Sequence, residues 1–131
     1  MCSQHRPTAH EESLAKTIVD CAYTVHRSLG PGLLESVYEH CFCLELQKRE
    51  IAYARQVSFP LVYDGQKLPW GLRLDVLVDN RIICDLKAVE CLTPVYLAQI
   101  LTQLKLSDLH LGFLINFNVA LIKDGLRRVI G

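Results

Sequence analysis

Two aspartates and a lysine interrupt an otherwise apolar stretch, LRLDVLVDNRIICDLKAVE, from Leu72 to Glu90. Asp75 lies in one strand-like run, Asp85 lies in the next, and Lys87 follows two residues later. Alternate side chains of a strand share a face. Asp85 and Lys87 therefore point the same way as Ile83, and Asp75 points with Arg73 and Leu77. The apolar set Leu72, Leu74, Val76 and Val78 marks the buried side, so the acids and the amine belong on the opposite one. Register decides whether they meet. A two-residue turn at Asp79-Asn80 pairs Asp75 with Cys84 and sends Asp85 to the other face. A three-residue turn, Asp79-Asn80-Arg81, sets Asp75 opposite Asp85, and Asn tolerates the left-handed backbone this needs. The odd-length turn, or an equivalent bulge, is expected.

Two carboxylates facing each other repel. A divalent cation between them reverses that, because Mg²⁺ takes a few carboxylates together with water and substrate phosphate oxygens. A nearby ammonium can then hold the attacking water or stabilise charge on a phosphorane-like oxygen. Together these groups make a phosphodiester-hydrolysis set. A plainer account is a solvated strand face with an Asp–Lys pair worth under about 1 kcal/mol. Glu35, in GPGLLESVYE, falls in the first turn of a helix, where free amides favour a carboxylate on their own account. Tyr38 and Glu39 follow it at three and four residues and share its face. A third carboxylate facing Asp75 and Asp85 would complete a metal site. In YLAQILTQLK, Tyr96, Gln99 and Gln103 form a polar stripe against Leu97, Ile100, Leu101 and Leu104. Such a stripe is ordinarily a solvated face. Where it meets the acids, Gln99 can bond a water or a phosphate.

The elements that must position these residues follow from periodicity and breakers. Residues 1–10 read as a loose tail, and residues 11–131 as one domain. A first helix is expected from Glu11 to Leu29, with the stripe Leu14, Ile18, Cys21, Ala22, Val25 and Leu29. Gly30-Pro31-Gly32 ends it. A second helix runs from about Leu33 to Arg49, with Leu34, Val37, Tyr38, Cys41, Leu44 and Leu46 as apolar faces. YARQVSFPLVYDGQKL offers a strand up to the Asp64-Gly65 turn, with Pro60 marking an edge or a bulge. LRLDVLV and RIICDLKA are the next strands. A helix capped by Thr93, with Pro94 at its first position, comes next. The buried strand HLGFLINF follows, and LIKDGLRRVI closes with a hairpin. The order ααβββαββ indicates an α/β (α+β) layered fold.

Formal net charge is 0, from 14 Lys and Arg against 14 Asp and Glu, and the pI is about 6.9. Bulk charge therefore does not favour a nucleic-acid binder. Half of the chain is hydrophobic (50%) and mean hydropathy is +0.20, so some apolar surface is expected to cover a partner, most simply another copy. No signal peptide or membrane-spanning run is recognised, so the expected setting is cytoplasmic, with no membrane partner. The six cysteines contain no C-x-x-C and show no metal-ligand spacing with the histidines. They are expected as buried thiols.

GLLESVY, Gly32 to Tyr38, matches the GxxExxY signature of a family of small bacterial and archaeal proteins. The chain resembles that family through RQV, LRLDVLV, IICDLKAVE, LAQILTQLKL, LGFLINF and GLRRVI, over roughly Leu14 to Ile130. The family is placed in the PD-(D/E)xK nuclease-like superfamily. The resemblance implies a mixed central sheet flanked by helices, and a Mg²⁺- or Mn²⁺-dependent phosphodiesterase acting on DNA or RNA. By position, Asp75 matches the metal-binding Asp, Asp85 and Lys87 the (D/E)xK pair, Glu35 the helix-borne acid, and Gln99 the helix Gln. It further implies the backbone carbonyl of Leu86 as a ligand, and Lys87 as the group holding the attacking water. Arg55, Arg73, Lys105, Arg127, Arg128 and Tyr38 would then lie against the substrate. The chain departs from the pattern with Asp at position 85, Gln103 where Tyr is frequent, and Leu74 where Pro would complete a PD pair. The alternative is a non-catalytic, homo-oligomeric assembly protein that keeps the nuclease fold.

Overall fold

The computed structural model describes residues 6–131. Its elements run α1 (Ala9–Leu29), α2 (Glu35–Lys48), β1 (Tyr53–Tyr63), β2 (Gln66–Val78), β3 (Ile82–Lys87), α3 (Pro94–Ser107), β4 (Leu111–Asn116) and β5 (Leu126–Ile130), with a 3₁₀ turn at Ile122–Asp124. This is the expected order ααβββαββ. The five strands form one sheet in sequence order, antiparallel throughout except for β3 and β4, which run parallel on either side of the α3 connection. Helices cover both faces. Val76, Val78, Ile82, Cys84 and Leu86 pack with α1 and α2, whereas Leu77, Ile83 and Leu114 pack with Ile100 and Leu104 of α3. The face carrying the acids is thus roofed by a helix, not open as a solvated strand face would be.

Part of the expected tail is helical. Residues 1–5, with Cys2, lie outside the described residues, and α1 begins at Ala9 because Thr8 and Glu11 form a capping box. The stripe from Leu14 to Val25 is buried as expected, but Leu29 is exposed and His26 is buried in its place. On α2 the buried side is Tyr38, Glu39, Phe42, Cys43 and Leu46. Leu34, Val37 and Leu44, expected to be apolar anchors, face outward. Steps of four residues from Tyr38 through Phe42 to Leu46 define the true stripe.

β2 is a single 13-residue strand that joins QKL to LRLDVLV. The Asp64-Gly65 turn has left-handed residues at both positions (φ 50° and 74°), and the chain returns directly into pairing. Pro60 sits on the edge strand β1, where the register shifts between Phe59 and Leu61. Between β2 and β3, Val78 pairs with Ile82, so the turn has the odd length anticipated, with Asp79 and Asn80 left-handed (φ 52° and 55°). α3 starts at Pro94 after Thr93, whose side chain makes no capping bond. Only Ile100 and Leu104 of α3 are buried, and Leu97 and Leu101, expected inside, are exposed. Among the described residues, no helix is long and apolar enough to cross a membrane.

Candidate active site

The β2–β3 ladder ends at the Val76–Cys84 pair, one row before Asp75 and Asp85. Where the next rung would fall, the Leu86 amide donates to Asp75 Oδ2 over 3.0 Å. Asp85 is 3% exposed. Its Oδ1 lies 3.3 Å from Lys87 Nζ, and its Oδ2 is buried with no hydrogen-bond partner. Burial, and then the charge and close carboxyl of Asp85, push Asp75 up to about 7, against the pull of the Leu86 amide and Lys87. Lys87 is steadied from above, its Nζ lying 4.9 Å from the ring centroid of Tyr96 on α3.

Asp75, Asp85 and Lys87 line one cleft with Arg73, Gln99, Thr102 and Gln103, walled by Leu72, Val95 and Ala98. The polar stripe of α3 therefore does meet the acids. Among the described residues, the buried side-chain oxygens without a partner are Asp85 Oδ2 and Gln103 Oε1, and both residues line this cleft. A buried carboxylate oxygen without a partner, set beside a second carboxyl, is a donor set that suits a divalent cation.

Glu35 opens α2 and is exposed. Partial burial of its carboxyl and the charge of Asp75 raise its pKa, while Lys87 opposes the rise. It is thus in electrostatic reach of the pair. The expected trio of carboxylates is nevertheless not assembled: among the described residues, no group of three His, Cys, Asp or Glu side chains could hold a metal ion. The Leu86 amide is committed to Asp75.

Several expected substrate contacts are occupied elsewhere. Tyr38 is fully buried, stacked 4.7 Å from Phe117, with its hydroxyl donating to the Gly30 carbonyl and accepting from the Leu33 amide. It clamps the GPG loop from which Glu35 emerges, where Gly32 has φ 99°. That accounts for the GxxExxY spacing without any contact to substrate. Arg55 is bonded to Glu39, and Arg128 forks onto Glu12. Arg127 donates to backbone carbonyls at Asp124 and Leu126. Lys105 is exposed on α3 but does not line the cleft, which leaves Arg73 as the expected arginine that does.

The sequence reading did not identify the Tyr96 cation contact, Thr102, or the cluster of Glu39 with Arg55 and Gln56. It also missed Asn116, buried at the end of β4, whose amide exchanges bonds with both Val89 N and Val89 O and so anchors the chain just past Lys87. A lone Asn in FLINF was the available signal.

The family model described as the PD-(D/E)XK nuclease superfamily matches residues 12–129. No curated protein matches the chain, and no solved structure does.

Proposed function

The chain belongs to the PD-(D/E)XK nuclease superfamily, and on that premise we propose that it is a divalent-cation-dependent phosphodiesterase acting on DNA or RNA. Asp75 and Asp85 would hold Mg²⁺ or Mn²⁺, with the Leu86 carbonyl and Glu35, directly or through water, as further ligands. Such a cation polarises a phosphate oxygen and makes bound water acidic. The chain's own groups supply the rest. Lys87, fixed between Asp85 and Tyr96, holds the attacking water and stabilises developing charge. Gln99 orients water or phosphate, and Arg73 binds a neighbouring phosphate. Within the superfamily we place the chain with the GxxExxY proteins, supported by the loop clamp that joins Gly32, Glu35 and Tyr38. Free Cys21, Cys43 and Cys84, all buried, support a reducing cytoplasmic setting.

The unpartnered Asp85 Oδ2 beside Asp75 carries this proposal. Plasmid and oligonucleotide cleavage with Mg²⁺ or Mn²⁺ tests it, comparing wild type with Lys87→Ala and Asp85→Asn. Both variants should lose activity. Cleavage unchanged in both would reject the assignment.

A homo-oligomeric assembly role is favoured by a different observation. α3 exposes Val95, Leu97, Leu101 and Leu106 and carries Lys105 as its one charged residue. A helix with that composition ordinarily lies inside something larger. Leu97→Glu with Leu101→Glu should shift the sedimentation coefficient to that of a monomer if copies pair through this face. An unchanged value would remove that reading.

A further inference from the structure

A second polar cluster joins α2 to the edge strand β1, outside the lining of the cleft. Glu39 of α2 is 8% exposed. Its Oε2 accepts from Arg55 Nε at 3.1 Å and Nη2 at 2.9 Å, and its Oε1 accepts from Gln56 Nε2 at 2.7 Å. Arg55 and Gln56 are sequence neighbours on β1, and neighbours on a strand ordinarily face opposite sides. Both reach Glu39 because Gln56 is left-handed, with φ 51°, a conformation that a non-glycine residue holds only when its surroundings impose it.

The place of that strain is informative. Arg55 pairs with Val76 and Val57 pairs with Leu74, so the residue set opposite Gln56 is Asp75, and this row is missing from the ladder. On the other side of β2, the ladder to β3 also stops just before Asp75. β2 is therefore released from both neighbours at Asp75, and its carboxylate turns to the Leu86 amide. Glu39 stands one helical turn after Glu35, so the same cluster links the start of α2 to this gap.

We propose that Glu39, Arg55 and Gln56 form a positioning bracket that holds the sheet open at Asp75 and fixes its carboxylate for the cation. The functional consequence rests on the cation-site reading above, but the mechanical action on Asp75 does not. Arg55 and Gln56 are positioning residues here and touch neither cation nor substrate. If the cluster merely held α2 against β1, its loss would loosen the core evenly and leave no local mark at Asp75.

Residue-resolved hydrogen exchange of the metal-free protein separates these cases, read at the Leu86 amide and at the core amides of Ile83 and Ile115. Gln56→Val removes the bond, and its branched side chain disfavours the left-handed backbone; Gln56→Gly removes the bond alone. Glu39→Gln weakens the anchor. The Leu86 amide should exchange at least about tenfold faster in Gln56→Val and Glu39→Gln, with Ile83 and Ile115 unchanged and Gln56→Gly intermediate. Mn²⁺ affinity by calorimetry should fall by about 10- to 100-fold in the same order, the usual effect of losing a residue that orients a ligand. Wild-type exchange at Leu86 in Gln56→Val, or equal acceleration at Ile83 and Ile115, would overturn the bracket. Wild-type protein that binds no Mn²⁺ while Leu86 exchange still responds would instead overturn the cation reading and leave the bracket standing.

Discussion

Glu39 and Asp85 are both acids buried to within a few percent, at 8% and 3% exposure, yet they are treated oppositely. Glu39 receives three side-chain donors from Arg55 and Gln56. Asp85 keeps one oxygen with no partner and the other 3.3 Å from Lys87, and faces a second carboxyl. Burial of a charge is tolerable when donors surround it and unfavourable when acceptors do. A fold that satisfies one acid and leaves another short of donors treats the first as a structural group and gives the second the free oxygen on which the proposed cation site rests. The contrast lies within one sheet, between α2 and α3, so general packing quality does not explain it.

The largest effects are expected at the cleft. Lys87→Ala should reduce cleavage by about 10²- to 10³-fold, the usual effect of removing one preorganised group that stabilises developing charge. Asp85→Asn should abolish activity and at the same time raise metal-free stability by about 1 kcal/mol, because an amide can donate to Asp75 where a carboxylate cannot. Urea unfolding at pH 8 measures the second effect. Glu39→Ala should do the reverse to stability and lower it by about 2 kcal/mol, since Arg55 is left without its acid; that figure is reduced from the fully buried case because Arg55 is partly solvated. Destabilisation by Asp85→Asn, or a neutral Glu39→Ala, would erase the distinction between the two acids.

The strand pair bearing the site was legible, and its odd turn followed from Asp79 and Asn80, residue types that accept left-handed backbone. The alternation expected along β2 nevertheless fails at Asp75: Leu72 and Leu74 pack in the α3-side cluster with Leu77, whereas Val76 and Val78 pack in the α1 and α2 cluster. The α3 stripe was harder. Its apolar residues occupy nearly every face, so periodicity alone could not choose Ile100 and Leu104 over Leu97 and Leu101. Tyr38 shows a different failure. Helical spacing put it on one face with Glu35, but spacing could not show that its hydroxyl folds back on the GPG loop. Basic residues misled for a related reason: sequence counts charges, and only tertiary contacts reveal that Arg55 and Arg128 already hold Glu39 and Glu12. Gln56 was invisible as a site residue, since nothing in RQV announces a left-handed residue inside a strand.

The pH dependence sharpens the contrast further. An unfolded Asp titrates near 3.9, whereas Asp75 in the fold is raised to about 7 by burial and by Asp85. The folded state therefore holds its proton more tightly between those values. Stability from this group is complete below about pH 4 and is lost as pH rises through about 7. Metal-free protein should accordingly weaken from pH 4 to pH 8, with Asp75→Asn removing most of that slope. Mg²⁺ added at pH 8 should restore stability to wild type and not to the variant, because only the native pair binds it. A flat profile in wild type would show that the two carboxyls do not contend.

The smallest expected effect separates two exposed arginines. Arg73 lines the cleft and makes no ion pair among the described residues, while Arg128 is held 2.8 Å from Glu12. A cation bound to an acid of its own chain displaces few counterions from a nucleic acid, whereas a free one displaces about one. Arg73→Ala should therefore raise KM severalfold with little change in kcat and lower the salt dependence of binding by roughly one unit of slope. Arg128→Ala should leave KM, kcat and slope unchanged. Equal effects from both would mean that substrate approaches across the α1–β5 side, where Glu12 and Arg128 meet, and that the cleft beside Asp75 and Asp85 is not its path.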